Sequence, residues 1–398
     1  MQWRINYCRS GHAGFASLHV DAITSPRSQD KGCCQCIPTA PRRLSPHLGG
    51  LPSSCCLVIQ AHCYRGSRLS RNMSTMLKTR TFSEEERSAF SPFIDDQPAI
   101  GRYEHFKMLL LGPIAPLRFI VGVLIVMSVA PVFRLITRTK APSRAELTAM
   151  QRRMIDLYGA FVMRVALFIG GYLWIRRKGK RVRMVDGVHV PVVVNHQSWV
   201  DIPITAASGC FGFIAKDAVE KIPVIGQNAK LVGTVYVDRT SAESRRNAVQ
   251  TINDVVRDTR GAGLTVWPEG TTTNGSCVLP FKATVFAVAG KCGVPVQPMT
   301  IKYGHRCYNV TLASADWKEN FFRILTQFVN KAEVTYLPVM SMEEGETAEA
   351  FAERVRAAMA DDLAAPMLDY PARRKYVYRE YLKGKIPLSE AVQKAAEM

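Results

Sequence analysis

The run Pro191-Val192-Val193-Val194-Asn195-His196-Gln197-Ser198-Trp199-Val200-Asp201 constrains this chain more than any other. A few β-branched residues in a row, too short for a buried helix, read as a strand covered on both faces. The strand stops at a histidine, and a carboxylate follows five residues later. Open α/β sheets place ligands and chemistry at strand ends. Histidine takes a proton near neutral pH, and a nearby aspartate fixes its tautomer. Residues five apart in a regular helix point about 140° from each other. A His196–Asp201 contact therefore needs a turn before any helix begins, and Pro203 suits a helix start there.

The surroundings repeat that pattern. Val190–Val194, Phe211–Ala215, Val232–Val237, Leu264–Trp267 and Val294–Ile301 read as strands. Thr240-Ser241-Ala242-Glu243 forms a capping box. Val249, Ile252, Val255 and Val256 then make an apolar helix stripe that Gly261 ends. Strands alternating with helices predict an α/β fold, a mixed and largely parallel sheet flanked by helices. That domain is expected over residues 179–340, followed by a C-terminal extension of polar helices over 341–398.

The stretch Met108–Phe133 holds a single charge, Arg118, and is long enough to cross a bilayer, which takes about 20 residues. Arg118 at the bilayer centre costs about 2.5–3.5 kcal/mol on insertion scales. Pro113, Pro116 and Pro131 interrupt the stretch, and cations flank both ends. These features predict a kinked hairpin or a half-inserted helix pair, so residues 73–178 are expected to form a membrane-associated helical segment. A second apolar run, Val165–Ile175, is too short to span. It reads as either a core helix or an interfacial helix using Tyr172, Trp174 and the cations Arg176, Arg177 and Lys178.

Residues 1–72 are rich in Ser, Pro, Gly and Cys, carry Asp21 and Asp30 as their only acids, and show no sustained period. They are expected to be a disordered or dispensable leader. The paired Cys33 and Cys36 have no second such pair, so no metal site is expected. The net charge of +19 suits an anionic membrane, phosphorylated substrates or nucleic acid. No zinc-finger spacing, RNA-binding signature or heptad is present, and no nucleic-acid partner is expected.

Three further segments follow the first: Gly233-Thr234-Val235-Tyr236-Val237-Asp238-Arg239, Pro268-Glu269-Gly270-Thr271-Thr272-Thr273-Asn274-Gly275, and Val294-Pro295-Val296-Gln297-Pro298. In identity, order and spacing the four resemble the motifs of the glycerolipid acyltransferase family. The likeness covers about residues 190–300. It implies a histidine–aspartate pair, His196 and Asp201, that activates a lipid hydroxyl against acyl-CoA without a covalent intermediate. No Gly-x-Ser-x-Gly elbow is present, which argues against a serine hydrolase.

The residues support those roles on their own terms. Arg239 follows a strand and suits bidentate phosphate binding. Lys216 and Lys282 are further phosphate candidates. A Gly/Thr turn exposes backbone N–H groups to an anion or oxyanion, which makes Gly270 and Thr271 candidates beside Glu269. The resemblance assigns the Glu269 segment to the acceptor's glycerol portion, and Pro295 and Pro298 to the acyl-donor side or to structural support. Tyr236 stands where phenylalanine is frequent, and Gln297 where an apolar residue is usual.

The Gly/Thr run looks like the lysophosphatidylcholine and lysophosphatidylethanolamine acyltransferase branch. Expected partners are therefore acyl-CoA as co-substrate, a lysophospholipid and a phospholipid membrane, with no cofactor. The family's usual place is the endoplasmic reticulum, with the site facing the cytosol. Lysophosphatidate or glycerol phosphate is the alternative acceptor, and a catalytically silent membrane-binding protein the remote alternative.

Overall fold

In the computed structural model the predicted strand forms over Val192–Val194, and none of its three side chains reaches solvent. The structure describes residues 81–97, 101–138, 144–216, 220, 225–237, 250, 252–258, 261–304, 308–314 and 316–398. Residues 1–72, Arg239 and the capping box Thr240–Glu243 lie outside that set, as does the side chain of Lys216.

Among the described residues, five α-helices precede the sheet: α1 (Glu84–Phe90), α2 (Arg102–Leu111), α3 (Ile114–Met127), α4 (Val129–Thr137) and α5 (Ala149–Ile169). The strands are β1 (Ile175–Lys178), β2 (Met184–Val185), β3 (Val188–His189), β4 (Val192–Val194), β5 (Ile214–Lys216), β6 (Val235–Val237), β7 (Thr265–Val266), β8 (Gln297–Gly304) and β9 (Lys331–Tyr336). Interleaved with them or following them are α6 (Asp201–Ala207), α7 (Ile225–Leu231), α8 (Thr284–Cys292), α9 (Trp317–Leu325), α10 (Ala348–Leu363), α11 (Arg374–Leu382) and α12 (Leu388–Ala396).

The main sheet has the order β1-β9-β8-β4-β7. Only the β8–β9 pair is antiparallel; β1–β9, β8–β4 and β4–β7 are parallel. The parallel pair β5–β6 joins alongside through a bridge from Phe213 to Thr265. The fold is α/β with a mixed, mostly parallel sheet flanked by helices. Alternation along β4 sends Val192 and Val194 into one core, with Met299, Ile301, Val334 and Ile204. Val193 enters the other, with Val266, Phe286 and Phe351. Because both faces are covered, the strand reads as an unbroken apolar run.

Helices α10 to α12 are not an appendage. Phe351, Val355 and Met359 of α10 fill the second core, while Val377, Tyr378 and Ala391 close a third with Phe90, Phe93 and Leu279.

Among the described residues, Ile114–Thr137 is the one stretch long and apolar enough to cross a membrane, and its 18-residue apolar window has a mean hydropathy of 2.5 and is 6% buried. It breaks lightly at Ser128, near Pro131, which lacks the N–H of one helical rung. Within Met108–Phe133, where a kinked hairpin or a half-inserted helix pair is expected, the helix is interrupted at Gly112-Pro113, between α2 and α3, and again at Ser128. Arg118, the obstacle to a single crossing, has its own partners: it donates to the carbonyls of Leu325 and Gln327, each at 2.8 Å. Nearby, Lys107 is paired with Glu104 and donates to Gln327 Oε1 at 2.5 Å, all buried. The apolar helix is thus clamped to the end of α9 by a polar seam.

The Val165–Ile175 run is split as well. Its first half ends α5, Gly170 and Gly171 terminate the helix, and Ile175 enters β1.

We predict that Arg118→Met lowers stability by about 1–3 kcal/mol, the usual cost of stranding hydrogen-bond partners. Thermal melts of the detergent-solubilised chain measure this, and an unchanged melting temperature would show that the clamp contributes nothing.

Candidate active site

Parallel strands bring their C-terminal ends to one edge of the sheet. His196 follows β4, Glu269 follows β7, Lys216 ends β5, and Arg239 comes two residues after β6. Along that edge the chemistry is built from four elements.

Asp201 opens α6 and is fully buried. Its Oδ2 accepts from His196 Nδ1 at 2.8 Å, from the Gln197 N–H at 2.7 Å and from the Ser198 N–H at 2.9 Å. Its Oδ1 accepts from the Tyr303 hydroxyl. The turn required by the five-residue spacing is therefore present, and the carboxylate itself pins it. Burial, then the charge of Asp201, holds Tyr303 well above an ordinary phenol pKa, so it stays a donor.

With Nδ1 committed, Nε2 is the nitrogen left for a substrate, and the His196 side chain keeps 21% exposure. The ring lies against Trp267 with centroids 5.2 Å apart, and Trp267 stacks on Phe213. Trp199, between His196 and Asp201, donates to Asn320 at 3.0 Å and stacks on Phe321. Phe119 of α3 meets the same Phe321 edge-on, so two aromatic contacts link the apolar helix to the histidine turn.

Glu269 departs from expectation. Its carboxyl is buried and faces backbone rather than open space, accepting from the His196 N–H at 2.8 Å and the Leu279 N–H at 3.2 Å. The side chain is a fastener between the histidine turn and the Gly/Thr turn. Burial pushes its pKa up to about 8, against the pull of those two amides.

The Gly/Thr turn is held from several sides. Thr273 N–H donates to the His196 carbonyl at 3.0 Å, and Asn274 binds the Pro92, Ser91 and Ile94 carbonyls of the N-terminal segment. Gly270 has φ +69°, and a Cβ there would sit 2.6 Å from Lys282 Nζ, so Lys282 folds over this turn. The backbone N–H groups of Thr271 and Thr272 make no hydrogen bond with the described residues. That narrows the expected anion cradle to two donors.

Lys375 of α11 was not anticipated. It is buried, donates to the Thr272 carbonyl at 2.7 Å, to Thr272 Oγ1 and to the Leu312 carbonyl at 3.1 Å. Burial, then the neighbouring Arg379, pulls its pKa down to about 7. Nothing local in the sequence marks it, since it sits in a long basic stretch.

The fourth motif lies apart. Pro298 registers with Val193, three residues before His196 and on the order of 10 Å away at about 3.3 Å per residue. Pro295 is further still, and both are buried. Gln297 is buried too, accepting from the Val182 N–H and donating to the Lys180 and Leu337 carbonyls. The segment ties strands together at the opposite end from the histidine.

The family model named Acyltransferase matches residues 175–302. The lysophospholipid acyltransferase LPEAT1 of Arabidopsis thaliana is 28% identical over 71% of this chain and 82% of its own length. Over residues 175–302 the chain is similar to the acyltransferase family. The lysophospholipid acyltransferase LPEAT2 of Arabidopsis thaliana is 32% identical over 64% of this chain, and human lysophosphatidylcholine acyltransferase 2 is 30% identical over 70% of it. This chain spans only about half of each of those two relatives, 46% and 52%.

We predict opposed pH effects from the buried pair. Between pH 4.5 and 8 the folded chain keeps a Glu269 proton that the unfolded chain releases. That contribution is full below pH 4.5 and is lost as pH rises through 8. Lys375 holds fewer protons when folded between pH 7 and 10.5, so its contribution grows with pH across that window. Melting temperatures from pH 5 to 8 should fall less steeply in Glu269→Gln than in the parent chain. Parallel curves would contradict the assignment.

Proposed function

We propose that this chain is a lysophospholipid acyltransferase. It moves an acyl chain from acyl-CoA to the free hydroxyl of a lysophosphatidylcholine or lysophosphatidylethanolamine type of acceptor. The observation that carries this reading is the 2.8 Å His196–Asp201 contact, which leaves Nε2 for a substrate, while the Gly/Thr turn tied to the His196 backbone has two amides, of Thr271 and Thr272, unpaired among the described residues.

His196 Nε2 removes the acceptor's hydroxyl proton, a step typically worth 10²–10⁴-fold. The oxygen attacks the thioester carbonyl, and a C–O bond forms. The resulting oxyanion is assigned to the Thr271 and Thr272 amides, unpaired among the described residues. Collapse breaks the C–S bond, and the sulfur takes the proton back from the imidazolium. Asp201 holds the ring's tautomer and offsets its transient charge, without itself being protonated.

Lys216 at the end of β5, Lys282 over the Gly/Thr turn and Arg239, which follows β6 in sequence, are assigned to the acceptor phosphate. Residues 114–137 are assigned to the bilayer, in the endoplasmic reticulum, with the site on the cytosolic side. The acceptor class follows the names of the relatives, and the Gly/Thr run agrees with it.

Purified full chain given labelled acyl-CoA and a panel of lysolipids should acylate lysophosphatidylcholine or lysophosphatidylethanolamine. Product from lysophosphatidate or glycerol phosphate alone would overturn the acceptor assignment. His196→Ala should lose at least about 100-fold in turnover while keeping its circular dichroism and membrane partitioning. Near-parent turnover in that variant would refute the base.

A further inference from the structure

An open cavity of about 670 Å³ lies where α5 ends, β1 begins and α6 ends. Phe161, Arg164, Trp174, Arg176, Arg177 and Ala207 line it. Asp201 opens α6 and Ala207 closes it, so the cavity sits one short helix from the catalytic carboxylate, about 9 Å at 1.5 Å per residue.

Two of its guanidiniums are fixed from behind. Arg164 donates to the Tyr172 carbonyl at 3.0 Å and the Leu173 carbonyl at 2.7 Å. Arg177 donates to the Ala207 carbonyl at 3.0 Å, which offsets the negative end of α6. A guanidinium has five N–H donors, so each keeps several for a ligand. Arg176 touches Glu333 only through Nε, at 3.5 Å. Glu333 is the acid beside this rim, and the hydrogen bond from Lys178 holds its carboxyl below the usual range. Six of the eight residues from Arg176 to Arg183 are cationic.

The other half of the rim is apolar. Trp174 is 78% exposed, and the surface continues through exposed Leu157, Phe161, Phe168 and Leu173. A fixed guanidinium cluster takes phosphate oxygens bidentately. Exposed tryptophan beside cations marks headgroup depth in a bilayer. The apolar Ile114–Thr137 helix packs along α5, which puts this rim next to the segment assigned to lipid.

We propose that the cavity binds the phosphate of an anionic phospholipid, with its chains against the exposed face of α5, as a site separate from the acceptor cleft. The site is independent of the acyl-transfer reading, and its test does not use turnover as the primary signal.

Full chain in an uncharged detergent is titrated with dihexanoyl phosphatidylserine, dihexanoyl phosphatidylcholine and inorganic phosphate, with melting temperature as the readout. The anionic lipid should give a saturable rise that the other two do not. Arg176→Gln/Arg177→Gln should weaken that apparent affinity at least about tenfold, the worth of one lost charge-assisted hydrogen bond. Its acyl transfer at saturating substrate should stay near the parent's. The exposed pair Arg257→Gln/Lys291→Gln, outside the cavity, should leave the titration unchanged. Should the first double variant fold poorly, Trp174→Glu places a carboxylate on the exposed rim and should weaken the same titration. An equal rise from phosphate or from phosphatidylcholine, or an unchanged titration in the rim variants, would overturn the proposal.

Discussion

One buried carboxylate organises this molecule. Asp201 is out of water, and an ionised carboxylate there is tolerable only when its lone pairs are filled. They are filled by a ring N–H, two backbone amides and a phenol. The same four bonds that solvate the charge also close the histidine turn, fix the tautomer and attach the turn to β8 through Tyr303. Satisfying the carboxylate and placing the His196 ring are one arrangement.

The second constraint is the anchoring of the Gly/Thr turn, which is held by partners far away in sequence. Ser91, Pro92 and Ile94 bind Asn274, Lys375 binds Thr272, and Glu269 bridges to His196. The N-terminal segment and the last helices therefore belong to the site although neither carries a reacting atom. Arg118 and the Phe119–Phe321–Trp199 contacts extend this dependence to the apolar helix. That helix lies two aromatic contacts from Trp199, a residue between His196 and Asp201.

The sequence disclosed what is local. The β4 strand, its terminal histidine and the need for a turn before α6 were readable because burial on both faces and five-residue spacing leave few options. The strands around Val235 and Thr265 were visible for the same reason, although shorter than expected. What depends on distant contacts was not readable. β9 was not singled out, because Lys331–Tyr336 mixes charged and apolar residues at a position whose partner, β8, lies about thirty residues earlier. Lys375 looked like one cation among many. Glu269 was expected to face a substrate, since nothing in Trp267-Pro268-Glu269 reveals that two backbone amides wait for its oxygens. Arg118 looked prohibitive because its partners, the Leu325 and Gln327 carbonyls, lie some two hundred residues on.

The central claim is spatial: the acceptor hydroxyl must come to the nitrogen that Asp201 leaves free. Electron cryomicroscopy of the full chain with a bound lysophospholipid measures it directly. The account predicts that hydroxyl within about 2.6–3.2 Å of His196 Nε2, or one water away. A lysolipid seated with its hydroxyl on another face of the sheet, with His196 facing no ligand, would contradict it.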